Sequence, residues 1–192
     1  FEELIMNLNL RFSATPAKSE TGLPTKFFGV AYRGDVIENY GNFGSVVIDL
    51  ANIKFGRNGQ VICFAHHDPK LRIGMASLTV INNEIRVTGE FYDTVSAIEV
   101  RQEFAKNIPW ELSVGLLGSI ERNTQTIALN GRQVKPDHIL RNCSVRELSF
   151  VSLGADPSTE VYAFSAYSTH CEREQIARIE QFLFNQVAGR TT

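Results

Sequence analysis

The feature that most limits this chain is its punctuation. Short runs of apolar–polar alternation recur along it, separated by turn dipeptides. A period of two puts one face of a strand in a core and the other in water. Residues 27–32 and 46–50 are short apolar runs of this kind. Asn58-Gly59 is a strong hairpin-turn signal, and it leads into 60–66, which reads as a buried strand. Residues 73–81 and 84–91 are two alternating arms around Asn82-Asn83. Residues 111–120 and 145–153 add further strands, and Gly154 with Pro157 stops the last. Residues 121–138 read as a polar insertion with its own Asn130-Gly131 turn.

Two segments switch period. Asp93 or Thr94 can cap a helix that carries Ile98, Arg101, Gln102, Ala105 and Ile108 and ends at Pro109. Residues 172–187 place Ile176, Ile179, Leu183 and Val187 on one stripe, an amphipathic helix that must pack on the domain or on a partner. Residues 1–26 open with alternating Leu4, Met6, Leu8 and Leu10, then turn small and polar, which predicts an edge strand and a mobile loop. Seven or eight strands with two helices predict a mainly β (α+β) fold, a closed antiparallel barrel with helices attached.

Composition removes several function classes. Across 192 residues, 21 acidic and 19 basic side chains leave a net charge of −2. That provides no footprint for a nucleic-acid partner and no basic face for a membrane surface. No apolar run approaches the ~20 residues of a membrane span. Cys63, Cys143 and Cys171 are odd in number and widely spaced, with no Cys-x-x-Cys pair. A disulfide framework and a zinc ribbon are therefore not expected, and Cys63 and Cys143 read as small buried hydrophobes. With no signal-peptide pattern at the start, a reducing, cytoplasmic setting is expected.

Three weak chemical signals follow one another. His66-His67-Asp68 closes a buried strand, where an imidazole could serve as general base near neutral pH, or where the residues simply make a turn. Ser113 shares a strand face with Glu111 and Gly115. A hydroxyl beside a glycine leaves room for a substrate carbonyl, while the plainer reading is a satisfied structural hydroxyl. Glu147 lies inside an apolar strand, where a charge is costly unless paired. It could orient an imidazole, or it could face outward or pair with Arg146. His138 and His170 read as solvated. No third ligand at recognisable spacing supports a metal, and no cofactor is expected.

Base at a strand end, serine on the strand after a helix, acid on a later strand: in that order the chain resembles the prohead (capsid maturation) serine proteases of tailed phages. Phe64-Ala-His-His-Asp68 with Arg72-Ile-Gly74 is similar to their histidine–aspartate segment. Leu112-Ser-Val-Gly-Leu116 is similar to their serine segment, and 146–153 with Ala155-Asp-Pro157 to their glutamate segment. The resemblance covers about residues 27–164. It implies a herpesvirus-protease-like closed β-barrel over 27–165, between an N-terminal edge strand and loop at 1–26 and a tail helix at 166–192. It implies a Ser-His-acid endopeptidase with Ser113 as nucleophile, His67 as base and Glu147 as third member. The implied substrates are the scaffold protein, the major capsid protein and the enzyme itself, inside the assembling prohead in the host cytoplasm. A homo-oligomer is also implied. The insertion at 121–138 would be a substrate-facing flap or a surface loop. A different class of reading keeps the same barrel as a non-catalytic capsid-assembly protein that binds scaffold through 172–187.

Overall fold

A computed structural model describes residues 22–164. The alternation at 4–10, the helix expected at 172–187, Cys171 and His170 lie outside the described residues. Eleven strands follow in order: β1 (Lys26–Tyr32), β2 (Val46–Ile48), β3 (Lys54–Phe55), β4 (Gln60–Ala65), β5 (Asp68–Ile81), β6 (Glu84–Phe91), β7 (Glu111–Arg122), β8 (Ile127–Leu129), β9 (Arg132–Val134), β10 (His138–Val151) and β11 (Glu160–Phe164). The one α-helix among the described residues, α1 (Val95–Ala105), lies between β6 and β7, and a single 3-10 turn spans Gly41–Phe43.

The sheet is organised by β10. Along one edge it pairs in parallel with β2, β3 and β4 in turn, and along the other it pairs antiparallel with β7. From β4 the sheet continues antiparallel through β5, β6 and β1 to β11. β1 stands four strands from β10, roughly 19 Å across a flat sheet at ~4.8 Å per strand. Yet the Phe27 and Phe150 rings meet with centroids 5.0 Å apart. The sheet is therefore strongly curled, and its concave face holds the core. Phe27, Phe91, Phe104, Trp110 and Phe150 form an aromatic cluster there, with Leu112, Val145 and Leu148 fully buried around it.

The expected closed, herpesvirus-protease-like barrel is not what forms. The mainly β content is as expected, but the sheet is open. Closure would need a ladder between the outer strands β7 and β11. Among the described residues no such ladder pairs them, and Leu112 N–H of β7 donates instead to the side chain of Thr159, the residue before β11, at 3.1 Å. Strand count fixed the class, while closure depends on two distant edges finding a common register. Of the two attached helices expected, α1 is the one that lies among the described residues.

Local chemistry accounts for the elements beside the site. Thr94 caps α1, its hydroxyl accepting from Ala97 N–H at 3.2 Å and donating to Arg72 O at 2.6 Å. Asp93 instead holds the buried Arg101, at 2.8 Å. The helix stops at Ala105, short of Ile108, because Asn107 takes the left-handed conformation at φ 59°. No helix among the described residues is long and apolar enough to cross a membrane.

Candidate active site

The turn joining β4 to β5 consists of two histidines. Ala65 pairs with Asp68, and between them His66 and His67 both have positive φ, 55° and 59°. That is the φ signature of a type I′ turn, a place normally given to Asn and Gly. Side chains other than Gly lose on the order of 1 kcal/mol there, so two adjacent histidines mark a strained turn. His66 N–H extends the β4–β10 pairing by one residue, donating to Phe150 O at 2.8 Å. The turn sends its two rings to different neighbours. His66 lies against Trp110, with centroids 5.1 Å apart. His67 Nδ1 lies 2.9 Å from Glu147 Oε1. A carboxylate only accepts, so Nδ1 carries a proton, and in the neutral ring Nε2 then holds the lone pair.

Glu147 sits on β10 opposite Gly115 of β7, and Ser149 sits opposite Ser113. Period two puts Glu147 and Ser149 on one face, with Ser113 and Gly115 beside them on the next strand. The four positions form a compact block on the convex side of the sheet. Ser149 is fully buried, and its hydroxyl donates to Glu147 Oε2 at 2.5 Å. Glu147 is 16% exposed and His67 47%. The acid thus has partners on both oxygens, and Arg146 is not one of them. Ser113 is half-buried in the same block. Among the described residues no hydrogen bond joins its hydroxyl to His67.

Gly115 differs from the sequence expectation. A Cβ built there would come within 2.1 Å of Glu147 Oε1. The space beside Ser113 that looked free for a substrate carbonyl is filled by the Glu147 carboxylate. Ser149 was missed at the sequence level, although its signal was present: it stands two residues after Glu147 and so shares its face. Cys63 lies on the core face of β4, where burial first and the Glu147 charge second push its thiol well above the usual range. Burial, then Asp49, pushes the Cys143 thiol up to about 11. Both are poor nucleophiles near neutral pH.

The opposite end of β10 holds the other described histidine. His138 opens that strand rather than lying in a solvated insertion, and its Nδ1 lies 2.7 Å from Phe43 O. The insertion folds as the β8–β9 hairpin. Asn130 at its tip accepts from Leu50 N–H and donates to Gly34 O and Ile48 O, at 2.8–3.1 Å. Ile48 pairs with Leu140, seven residues before Glu147, or roughly 20 Å along an extended strand. The hairpin is tied at that end and does not cover His67. Among the described residues no group of three His, Cys, Asp or Glu side chains could hold a metal ion. No protein-family model, curated protein or solved structure matches this chain.

Proposed function

We propose that the chain is a serine endopeptidase of the Ser-His-acid type, acting on scaffold or major capsid protein during maturation of a phage prohead. The observation that carries this reading is the His67 Nδ1–Glu147 Oε1 contact of 2.9 Å, on the sheet face that also bears Ser113. An imidazole held at Nδ1 by a carboxylate presents Nε2 as a base of fixed direction. The Ser113 hydroxyl gives its proton to Nε2 as its oxygen attacks the scissile carbonyl carbon. Glu147 stabilises the imidazolium, which returns the proton to the leaving amine. Water then releases the acyl group from Ser113 by the same route in reverse. Substrate binding must bring the hydroxyl and Nε2 into contact, a step common in unliganded active sites. The motif resemblance supplies the substrate class. The reading needs the local block of strands and does not depend on a closed barrel.

A fluorophosphonate probe tests the chemistry without knowledge of the natural substrate. Mass spectrometry of the full chain is expected to find one adduct, on Ser113, and none in Ser113→Ala or His67→Ala. Incubation with scaffold protein should give cleavage by the wild type only. Unchanged labelling or cleavage in both variants would falsify the assignment.

A further inference from the structure

We infer that Gly115 and Ser149 are positioning residues that aim the Glu147 carboxylate at His67, an inference that rests on the peptidase reading of this site. A glutamate has several rotatable bonds, and one with its carboxylate near solvent samples many directions. A useful acid must present one oxygen to one nitrogen. Two neighbours remove the freedom here. The Ser149 hydroxyl takes Oε2 at 2.5 Å, leaving Oε1 to His67 Nδ1 at 2.9 Å. Gly115 supplies the floor on which the carboxylate lies, since a Cβ would stand 2.1 Å from Oε1 and 2.7 Å from Cδ.

The glycine has no conformational reason to be there. Gly115 is not among the residues with positive φ. Inside a strand, glycine costs stability unless its missing side chain makes room for something. What it makes room for is the oxygen that meets His67. The overlap takes in Oε1, Cδ and Cγ of the Glu147 side chain, none of them a backbone atom, so alanine at 115 would turn the whole side chain outward. Ser149 is equally specific. It is fully buried, and a buried hydroxyl needs an acceptor, which Glu147 provides. The other titratable groups nearby do not replace Glu147. His66 is turned to Trp110, Cys63 lies on the core face, and Asp68 bonds the Lys70 N–H.

The test reads the His67–Glu147 contact directly, by the downfield NMR signal of the His67 Nδ1 proton in the full chain. Glu147→Gln should move that signal upfield or lose it to exchange with water, because the charged acceptor is gone. Gly115→Ala should do most of the same with an unchanged melting temperature. Leu117→Ala, two residues along the same exposed face, should leave the signal in place. Ser149→Ala should move the signal and reduce kcat roughly tenfold, the effect of one hydrogen bond to a charged group, with KM unchanged. A wild-type signal in Gly115→Ala overturns the proposal. If that variant does not fold, an unmoved signal in Ser149→Ala overturns it instead. Signals that move as expected, in a protein that still cleaves as Ser113→Ala, leave the cradle standing and remove the peptidase.

Discussion

Four two-residue turns with both φ values positive join antiparallel partners among the described residues. Asn58-Gly59, Asn82-Asn83 and Asn130-Gly131 have φ values of 55° and 77°, 53° and 62°, and 49° and 73°. The fourth, His66-His67, adopts the same conformation with 55° and 59°. The backbone task is the same in all four. Asparagine and glycine do it cheaply, the first by local hydrogen bonding and the second by lacking a Cβ. Histidine does it at higher cost, and a selected exception to a local rule marks a site where side chains matter more than the turn. At 66–67 the rings reach Trp110 and Glu147, whereas 82–83 reverse the chain between β5 and β6.

Exchanging the residues of one turn for those of another is the strongest way to break this comparison. Replacing His66-His67 by Asn-Gly keeps the conformation and relieves roughly 1 kcal/mol of backbone strain. Part of that gain is offset by the lost His66–Trp110 contact. The variant should melt at or slightly above the wild type. Cleavage should nevertheless fall by about 10⁶-fold, the scale of losing the base from a catalytic triad. Thermal melts and cleavage assays on one preparation check both halves. Retained cleavage would return the two histidines to an ordinary turn.

The histidine turn also differs in what supports it. Trp110 lies between the His66 ring and Phe150, with centroids 5.1 Å and 6.4 Å away, and is 8% exposed. Trp110→Ala should cost about 3–5 kcal/mol in chemical denaturation followed by circular dichroism. It should lower cleavage as well, because the turn loses its backing. Of the asparagine turns, the one at 130–131 is tied instead by the Asn130 amide to Leu50, Gly34 and Ile48. A loss below about 1 kcal/mol would mean that the aromatic cluster closes over the gap.

Much of the strand pattern was legible because it is local. Asn82-Asn83 and the alternation on either side specify a hairpin within a few residues, and β5 and β6 pair through Ile81 and Glu84 as that pattern requires. Pairing between distant segments was not legible. β10 begins at His138, but Arg141 and Asn142 interrupt its alternation where the register with β7 shifts, so the strand read from the sequence starts only at Val145 and His138 fell in the insertion. Its parallel partners β2, β3 and β4 lie some 80–90 residues away, and no periodicity names them. The open sheet follows from the same fact, since counting strands says nothing about which edges meet. The site divides in the same way. Alternation alone put Ser149 on the face of Glu147. The filling of the Gly115 space needed the cross-strand register, which placed a carboxylate over the one residue without a side chain.

The mirror exchange separates backbone cost from chemistry at the smallest expected effect. Asn58-Gly59 joins Arg57 to Gln60 with the same φ signs, at the start of β4 rather than at its end. A Cβ at Gly59 would meet only Leu78 O, at 3.8 Å, an ordinary contact. Replacing this pair by His-His therefore adds backbone strain with no clash. Stability should fall by roughly 1–2 kcal/mol, the larger share from position 59, where a glycine gives way to a residue with a Cβ, and the rest from histidine in place of Asn58. Cleavage should be unchanged, since His67, Glu147 and Ser113 keep their places. Urea denaturation gives the first quantity and the cleavage assay the second. If the exchange is neutral for stability, histidines are cheap in this turn and the argument from strain at 66–67 fails. The His67–Glu147 contact would then have to carry the site alone.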